Sequence, residues 1–89
     1  MTETNYAKVL YELNIAPEVT ASANAILKVA PEVSEVLSSP VVSLKEKENV
    51  IDKIFPKEIC NFMKVLCRYH KASLAQEIFK EYQEYYNKR

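Results

Sequence analysis

The 89-residue chain contains no glycine. That excludes the phosphate-binding loop, the dinucleotide-binding turn and the nucleophile elbow, all of which need backbone positions that a Cβ obstructs. There is one histidine, His70, and one aspartate, Asp52. A Ser-His-Asp relay would have to use both and would also need a strained nucleophile turn, so this chemistry is not expected. No run of about 18 apolar residues exists, so no membrane-spanning helix and no direct membrane insertion is expected. The opening Met1-Thr2-Glu3-Thr4-Asn5 is polar and acidic, the wrong character for a signal peptide.

Charge of one sign is also lacking. Lys plus Arg and Asp plus Glu are 12 each, for a net charge of zero. Residues 1–44 carry only Lys8 and Lys28 against Glu3, Glu12, Glu18, Glu32 and Glu35, whereas residues 45–89 carry ten bases against seven acids. This mild asymmetry reads as a solvated mixed surface and disfavours nucleic acid as a partner. Apolar residues make up 48% of the chain, enough for one packed domain spanning residues 1–89. A domain of this length buries roughly 60–65% of its unfolded surface, so modest stability is expected.

The periodicity predicts an all-α bundle of about six short helices. The prolines at 17, 31, 40 and 56 punctuate them, since proline is tolerated in a first helical turn and breaks an interior. The first helix is expected over about Asn5–Ile15, with Tyr6, Val9, Leu10 and Leu13 on one face. A second begins near Pro17 with the stripe Val19, Ala23, Ile26, Leu27 and Ala30. Pro31 opens a short third helix with Val33, Val36 and Leu37 inward, ending at Ser38-Ser39-Pro40. Ser43-Leu44-Lys45-Glu46 reads as a capping box opening a helix that carries Leu44, Val50, Ile51, Ile54 and Phe55. Pro56 starts a fifth with Ile59, Phe62, Met63, Leu66 and His70. Ser73-Leu74-Ala75-Gln76 reads as a second capping box before a helix carrying Leu74, Ile78, Tyr82 and Tyr85.

No residue set reads as catalytic, and no cofactor is expected. Cys60 and Cys67 on one helix lie about 10 Å apart along its axis, too far for a disulfide. Free, buried thiols are expected. With His70 they offer three candidate metal ligands on one helix, which lacks a fourth ligand from a second segment. A helical metal-site protein is therefore a minor alternative. His70 reads as a core-edge residue at a helix C-terminus. Glu77, Glu81 and Glu84 beside Lys80 and Lys88, and the run Lys45-Glu46-Lys47-Glu48, read as exposed charged faces. Tyr82, Tyr85 and Tyr86 could stack on bases, but at helical spacing they read as core or interface.

Two helices are apolar over more of their circumference than burial on one side requires. In the first, the arc from Val9 through Leu13, Tyr6, Leu10 and Ala7 to Tyr11 spans about 200°. In the fifth, an arc that includes Val65, Tyr69, Phe62, Leu66, Ile59, Met63, Cys67 and Cys60 covers roughly 220°. A surface helix needs somewhat more than 100°. Either both helices are central, or they leave an apolar groove for an incoming amphipathic helix. The two readings are compatible.

Tyr6-Ala7-Lys8-Val9-Leu10-Tyr11-Glu12-Leu13 resembles the opening Tyr-Ala-x-Ala-Leu-Phe-x-Leu pattern of the delta subunit of F-type ATP synthases. That family includes the mitochondrial oligomycin-sensitivity-conferring protein. Ser39-Pro40-Val41-Val42-Ser43-Leu44-Lys45-Glu46-Lys47 is similar to its Asn-Pro-x-Ile-x-x-x-x-Lys segment. Asn61-Phe62-Met63-Lys64-Val65-Leu66 and Leu74 to Tyr82 are similar to its fifth and sixth helices. The family often has Gly-Arg after the fifth helix where this chain has His70-Lys71, so a turn of different geometry is expected there. Family members are roughly twice as long, so the chain looks like the amino-terminal domain alone.

The resemblance implies a six-helix bundle and a non-catalytic stator role in proton-coupled ATP synthesis. It implies that the amino-terminal helix of an alpha subunit binds between helices 1 and 5. Tyr6, Val9, Leu10 and Leu13 would form one wall and Asn61, Val65 and Tyr69 the other, with Lys64 and Arg68 as a basic rim. Peripheral-stalk b subunits would be met through the missing second domain. It also implies a peripheral position on the cytoplasmic face of the inner or plasma membrane. A bacterial source is favoured because no transit segment precedes Tyr6, and an organellar one is the alternative. The rival reading is an all-helical RNA-binding domain of the transcription-antitermination type. It requires a basic face, and here bases and acids interleave.

Overall fold

The computed structural model describes the backbone of residues 3–87 and the side chains of residues 6–87. Among these residues there are six α-helices and no strand: α1 (Glu3–Glu12), α2 (Pro17–Val29), α3 (Pro31–Ser38), α4 (Leu44–Ile54), α5 (Lys57–Arg68) and α6 (Ala75–Asn87). A 3₁₀ turn at Ala72–Leu74 leads into α6. The radius of gyration, 12.1 Å, is that of a close-packed chain of this length.

Local chemistry explains most boundaries. Pro17 and Pro31 occupy the first turns of α2 and α3, where the missing amide costs nothing. The Ser43 hydroxyl accepts from the Glu46 amide at 3.2 Å, so half of the expected capping box is in place. The second expected capping box does not form. Ser73 lies inside the 3₁₀ turn, no side chain caps that turn, and α6 begins only at Ala75.

α1 stops at Glu12, three residues short of expectation, because Asn14 turns the chain into the left-handed region at φ 59°. The Asn14 amide donates to the Tyr11 carbonyl (3.0 Å) and the Ile15 amide to the Leu10 carbonyl (3.2 Å). This pair of bonds is a Schellman motif, which closes a helix by satisfying its last carbonyls. α5 ends the same way. His70 has φ 59°, its amide donates to Cys67 (3.1 Å), and the Lys71 amide donates to Leu66 (2.7 Å). The turn of different geometry expected at His70 is thus corrected: histidine adopts the backbone conformation that glycine usually supplies.

α1 lies along α6, α4 packs on α5, and α2 contacts α3, α5 and α6. Leu10, Ile51, Ile59, Met63, Leu66, Ile78 and Tyr82 have no accessible surface and form the centre. The wide apolar arc of α5 is largely explained by its central place, since Ile59, Cys60, Phe62, Met63, Leu66 and Cys67 are all buried. Two expectations need correction. Leu44 and Ile54 of α4 remain well exposed, and Lys47, expected on a solvated face, is 6% exposed. Lys47 stands between Leu44 and Ile51 at helical spacing, so its methylene stem takes a place in the stripe.

Candidate functional site

α1 and α5 meet where the Tyr6 ring stands edge-on against Phe62, with centroids 6.2 Å apart at 82°. Edge-to-face geometry brings a positive ring edge to a negative ring face, so this contact is specific as well as apolar. Val9 and Leu13 follow Tyr6 at spacings of three and seven residues, and Val65 and Tyr69 follow Phe62 at the same spacings. At 3.6 residues per turn, each pair therefore continues the side of its helix that makes the contact.

The nine residues singled out in the sequence divide into two groups. Tyr6 and Leu10 are buried and belong to the core, so they support the surface from beneath. Val9 is half-buried, whereas Leu13, Val65 and Tyr69 are 58%, 37% and 60% exposed. Asn61 and Arg68 are exposed, and Lys64 is half-buried. The Lys64 ammonium is 2.8 Å from an Asp52 carboxylate oxygen, which ties α5 to α4. Hydrogen bonding to Asp52 raises the Lys64 pKa above its ordinary value. Arg68 forms no ion pair among the described residues, so its charge is open to a partner.

The tyrosines of α6 are turned inward or against α1. Tyr82 is fully buried, and its hydroxyl donates to the Ile15 carbonyl. Burial raises its pKa, with Tyr86 and Tyr11 adding to the shift. Tyr11 packs edge-on against Tyr85 at 5.2 Å. These rings form a seam between α1 and α6, and Tyr82 offers no face to a base.

Cys60 and Cys67 are free and buried. The Cys60 thiol lies 3.3 Å from the Pro56 carbonyl oxygen and 3.5 Å from those of Ile51 and Phe55. Burial raises both thiol pKa values; for Cys60 the Asp52 charge adds to this, and for Cys67 the Lys47 charge opposes it. Such thiols are held protonated and unreactive. No group of three His, Cys, Asp or Glu side chains among the described residues is placed to hold a metal ion. No described helix is long and apolar enough to cross a membrane.

Two features were not foreseen from the sequence. A groove of about 640 Å³ runs between α2 and α6, lined by Thr20, Asn24, Lys28, Phe79 and Lys80 among others. The small side chains Ala21 and Ala25 on α2 were its sequence signal. The side-chain oxygen of Asn24 is buried there without a hydrogen-bond partner. The second feature is a small cavity beside Lys47, His70 and Ser73.

The model of the family described as ATP synthase delta (OSCP) subunit matches residues 3–89. The chain is 32% identical to the ATP synthase subunit delta of Clostridioides difficile (strain 630), covering 94% of this chain and 53% of that protein. It is 33% identical to the ATP synthase subunit delta of Alkaliphilus metalliredigens (strain QYMF), covering 86% and 49% respectively. The chain thus spans about half the length of the curated relatives it matches. No solved structure matches it at a significant level.

Proposed function

The chain belongs to the ATP synthase delta (OSCP) subunit family, and from that membership we propose that it is a non-catalytic stator element. In this reading it holds the amino-terminal helix of an alpha subunit against the edge shared by α1 and α5. The observation that carries it is the matched spacing of Val9 and Leu13 after Tyr6 and of Val65 and Tyr69 after Phe62. Of these, Leu13, Val65 and Tyr69 leave apolar surface exposed on the two helices that share one ring contact, and Val9 is half-buried against the core.

The incoming helix would place anchors at i, i+3, i+4 and i+7 over these side chains. Leu13 and Val65 give contact area, and the Tyr69 hydroxyl can fix orientation. Arg68 at the rim would meet acidic residues on the partner, while Lys64 is already engaged by Asp52. Asn61 supplies an amide at the same edge. Tyr6 and Leu10 act from below by holding α1 in place. A stator contact must outlast many rotor turns, so slow dissociation is the property required, and buried apolar anchors supply it better than rim charges do.

The relatives are about twice as long, and the segment they have beyond this match would meet the b subunits of the peripheral stalk. The complex supports proton-coupled ATP synthesis and would place this domain peripherally at the cytoplasmic face of a bacterial membrane. Titration with a peptide copying the amino-terminal helix of the alpha subunit tests the docking. Saturable binding that salt weakens only mildly and that Val65→Asp abolishes is the expected result. Absence of binding, or binding indifferent to Val65→Asp at unchanged stability, would refute it.

A further inference from the structure

The groove between α2 and α6 holds a polar side chain that the fold leaves unsatisfied. The Asn24 side-chain oxygen is buried without a hydrogen-bond partner. Thr20, one turn earlier on the same face, does not relieve it, because its hydroxyl donates to the Pro17 carbonyl at 2.9 Å. A buried acceptor left unpaired is a cost to the isolated domain and marks a place where a donor is missing. Asn24 as a whole is half-buried and lines the groove. The last torsion of an asparagine side chain is broad, so a rotation turns the oxygen outward without leaving a rotamer well.

Gln76 and Gln83 of α6 line the same groove, and their carboxamides also make no hydrogen bond among the described residues. A carboxamide carries an acceptor and two donors side by side, the pattern that matches the N–H and C=O of a peptide unit. Ala21 and Ala25 keep the α2 wall low. Lys28 and Lys80, one on each helix, form no ion pair among the described residues, and Glu77 is the one acid in the lining. The mouth of the groove therefore carries a net positive charge.

The size of the groove selects the shape of its occupant. The lining runs from Thr20 to Lys28 on α2 and from Gln76 to Gln83 on α6, a length of about 10–12 Å. A volume of about 640 Å³ over that length leaves a cross-section of about 50–60 Å². An extended strand needs about 50 Å², from spacings of about 4.8 and 10 Å. A helix with its side chains is about 10–12 Å across, needs about 80 Å² or more, and would rest on the rims. We propose that the α2–α6 groove binds an extended, acidic peptide segment of another protein, with about three to four residues held in the groove. Asn24, Gln76 and Gln83 hold its backbone, its small side chains face the alanines, and its alternate acidic side chains reach Lys28 and Lys80. This surface shares no residue with the α1–α5 edge and does not depend on a helix bound there.

The test is an NMR titration of the chain with the blocked peptide Ala-Glu-Ala-Glu-Ala at constant ionic strength. Saturable shifts are expected at the backbone amides of Ala21, Asn24, Ala25 and Gln83 and at the side-chain amides of Asn24 and Gln83. Replacing both glutamates of the peptide by lysine, or methylating its central backbone nitrogens, should each weaken binding about tenfold or more. Asn24→Ala should weaken it about three- to tenfold and Lys80→Gln about threefold. The Tm of Asn24→Ala should not fall below that of the parent, since the variant loses only an unpaired acceptor. Absence of saturable shifts, equal binding of the lysine or N-methylated peptide, or undiminished binding by Asn24→Ala would overturn the proposal. A fall in the Tm of Asn24→Ala would also overturn it, because the amide would then belong to the core. Groove shifts produced by the alpha-subunit peptide and not by the extended one would assign the groove to a helix instead.

Discussion

The hydroxyl of Tyr82 on α6 donates to the main-chain carbonyl of Ile15, 67 residues earlier in the chain. Ile15 is the residue whose amide closes the Schellman motif of α1, so a single phenol fastens the end of that helix to the last helix of the bundle. Tyr82→Phe keeps the ring and leaves a carbonyl without its donor. Urea unfolding should show a loss of about 1–2 kcal/mol. That corresponds to a fall of roughly 4–16 °C in Tm for a domain of this size. Tyr85→Phe, at a half-buried ring with no such bond, should stay within about 0.5 kcal/mol of the parent. Equal effects of the two substitutions would show that the Tyr82 bond contributes nothing of its own.

Alkaline pH should destabilise the fold in two steps. Burial raises the pKa of Cys60 and Cys67 above 9.0 and that of Tyr82 above 10.0. Between its unfolded and its folded pKa, each group is protonated in the native state and deprotonated in the unfolded one. The unfolded state then binds fewer protons, so stability falls as pH rises. The decline should begin near pH 9 with the thiols and steepen near pH 10 with the phenol. Lys64, whose pKa is raised by Asp52, adds a contribution that is full below 10.5 and lost at higher pH. Denaturation midpoints between pH 7 and 10.5 provide the measurement, and a Cys60→Ala/Cys67→Ala variant should lack the first step.

Both left-handed helix ends are built without glycine, and at unequal cost. Asparagine tolerates this region, because its short amide can bond locally, whereas histidine gains less from it. His70→Gly should therefore stabilise the protein by about 0.5–1 kcal/mol, the relief of a Cβ clash less the extra entropy of an unfolded glycine. Asn14→Gly should be nearly neutral, a few tenths of a kcal/mol at most. Thermal unfolding of the two variants side by side distinguishes this from a general effect of added glycine, which would move both in the same direction by the same amount.

These helix ends also show where sequence legibility stops. Pro17 and Pro31 announce their helices because their chemistry permits few other places, and Ser43 with Glu46 does the same for α4. The stripes of α2, α3, α5 and α6 can be read because a 3.6-residue period leaves few alternatives. Histidine visits the left-handed region more often than most residues, but too rarely to announce a helix end by itself, so the end of α5 became visible only in the backbone. Lys47 misled for a different reason. The run Lys45-Glu46-Lys47-Glu48 has the composition of a surface, and only the spacing Leu44, Lys47, Ile51 hints that one of its lysines points inward. The wide arcs of α1 and α5 indicated too much apolar surface for one-sided burial. They could not indicate which part stays uncovered, because that depends on where α6 and α4 lie.

The division between Leu10 and Leu13 offers the sharpest test of the docking edge, since the two leucines sit three residues apart. Leu10 has no accessible surface, and Leu13 is 58% exposed. Leu10→Ala removes core volume and should cost about 2–5 kcal/mol of stability. Leu13→Ala removes no core contact and should leave stability within about 0.5 kcal/mol. If the α1–α5 edge receives a helix, Leu13→Ala should nevertheless weaken the alpha-subunit peptide by about fivefold or more, as truncating an interface anchor does. Val65→Ala should act similarly, and Tyr69→Phe should reveal how much orientation depends on the hydroxyl. A Leu13→Ala protein that binds the peptide as tightly as the parent would place the contact elsewhere. The groove between α2 and α6 would then be the next surface to probe, because it holds the unpaired Asn24 carbonyl against an apolar wall.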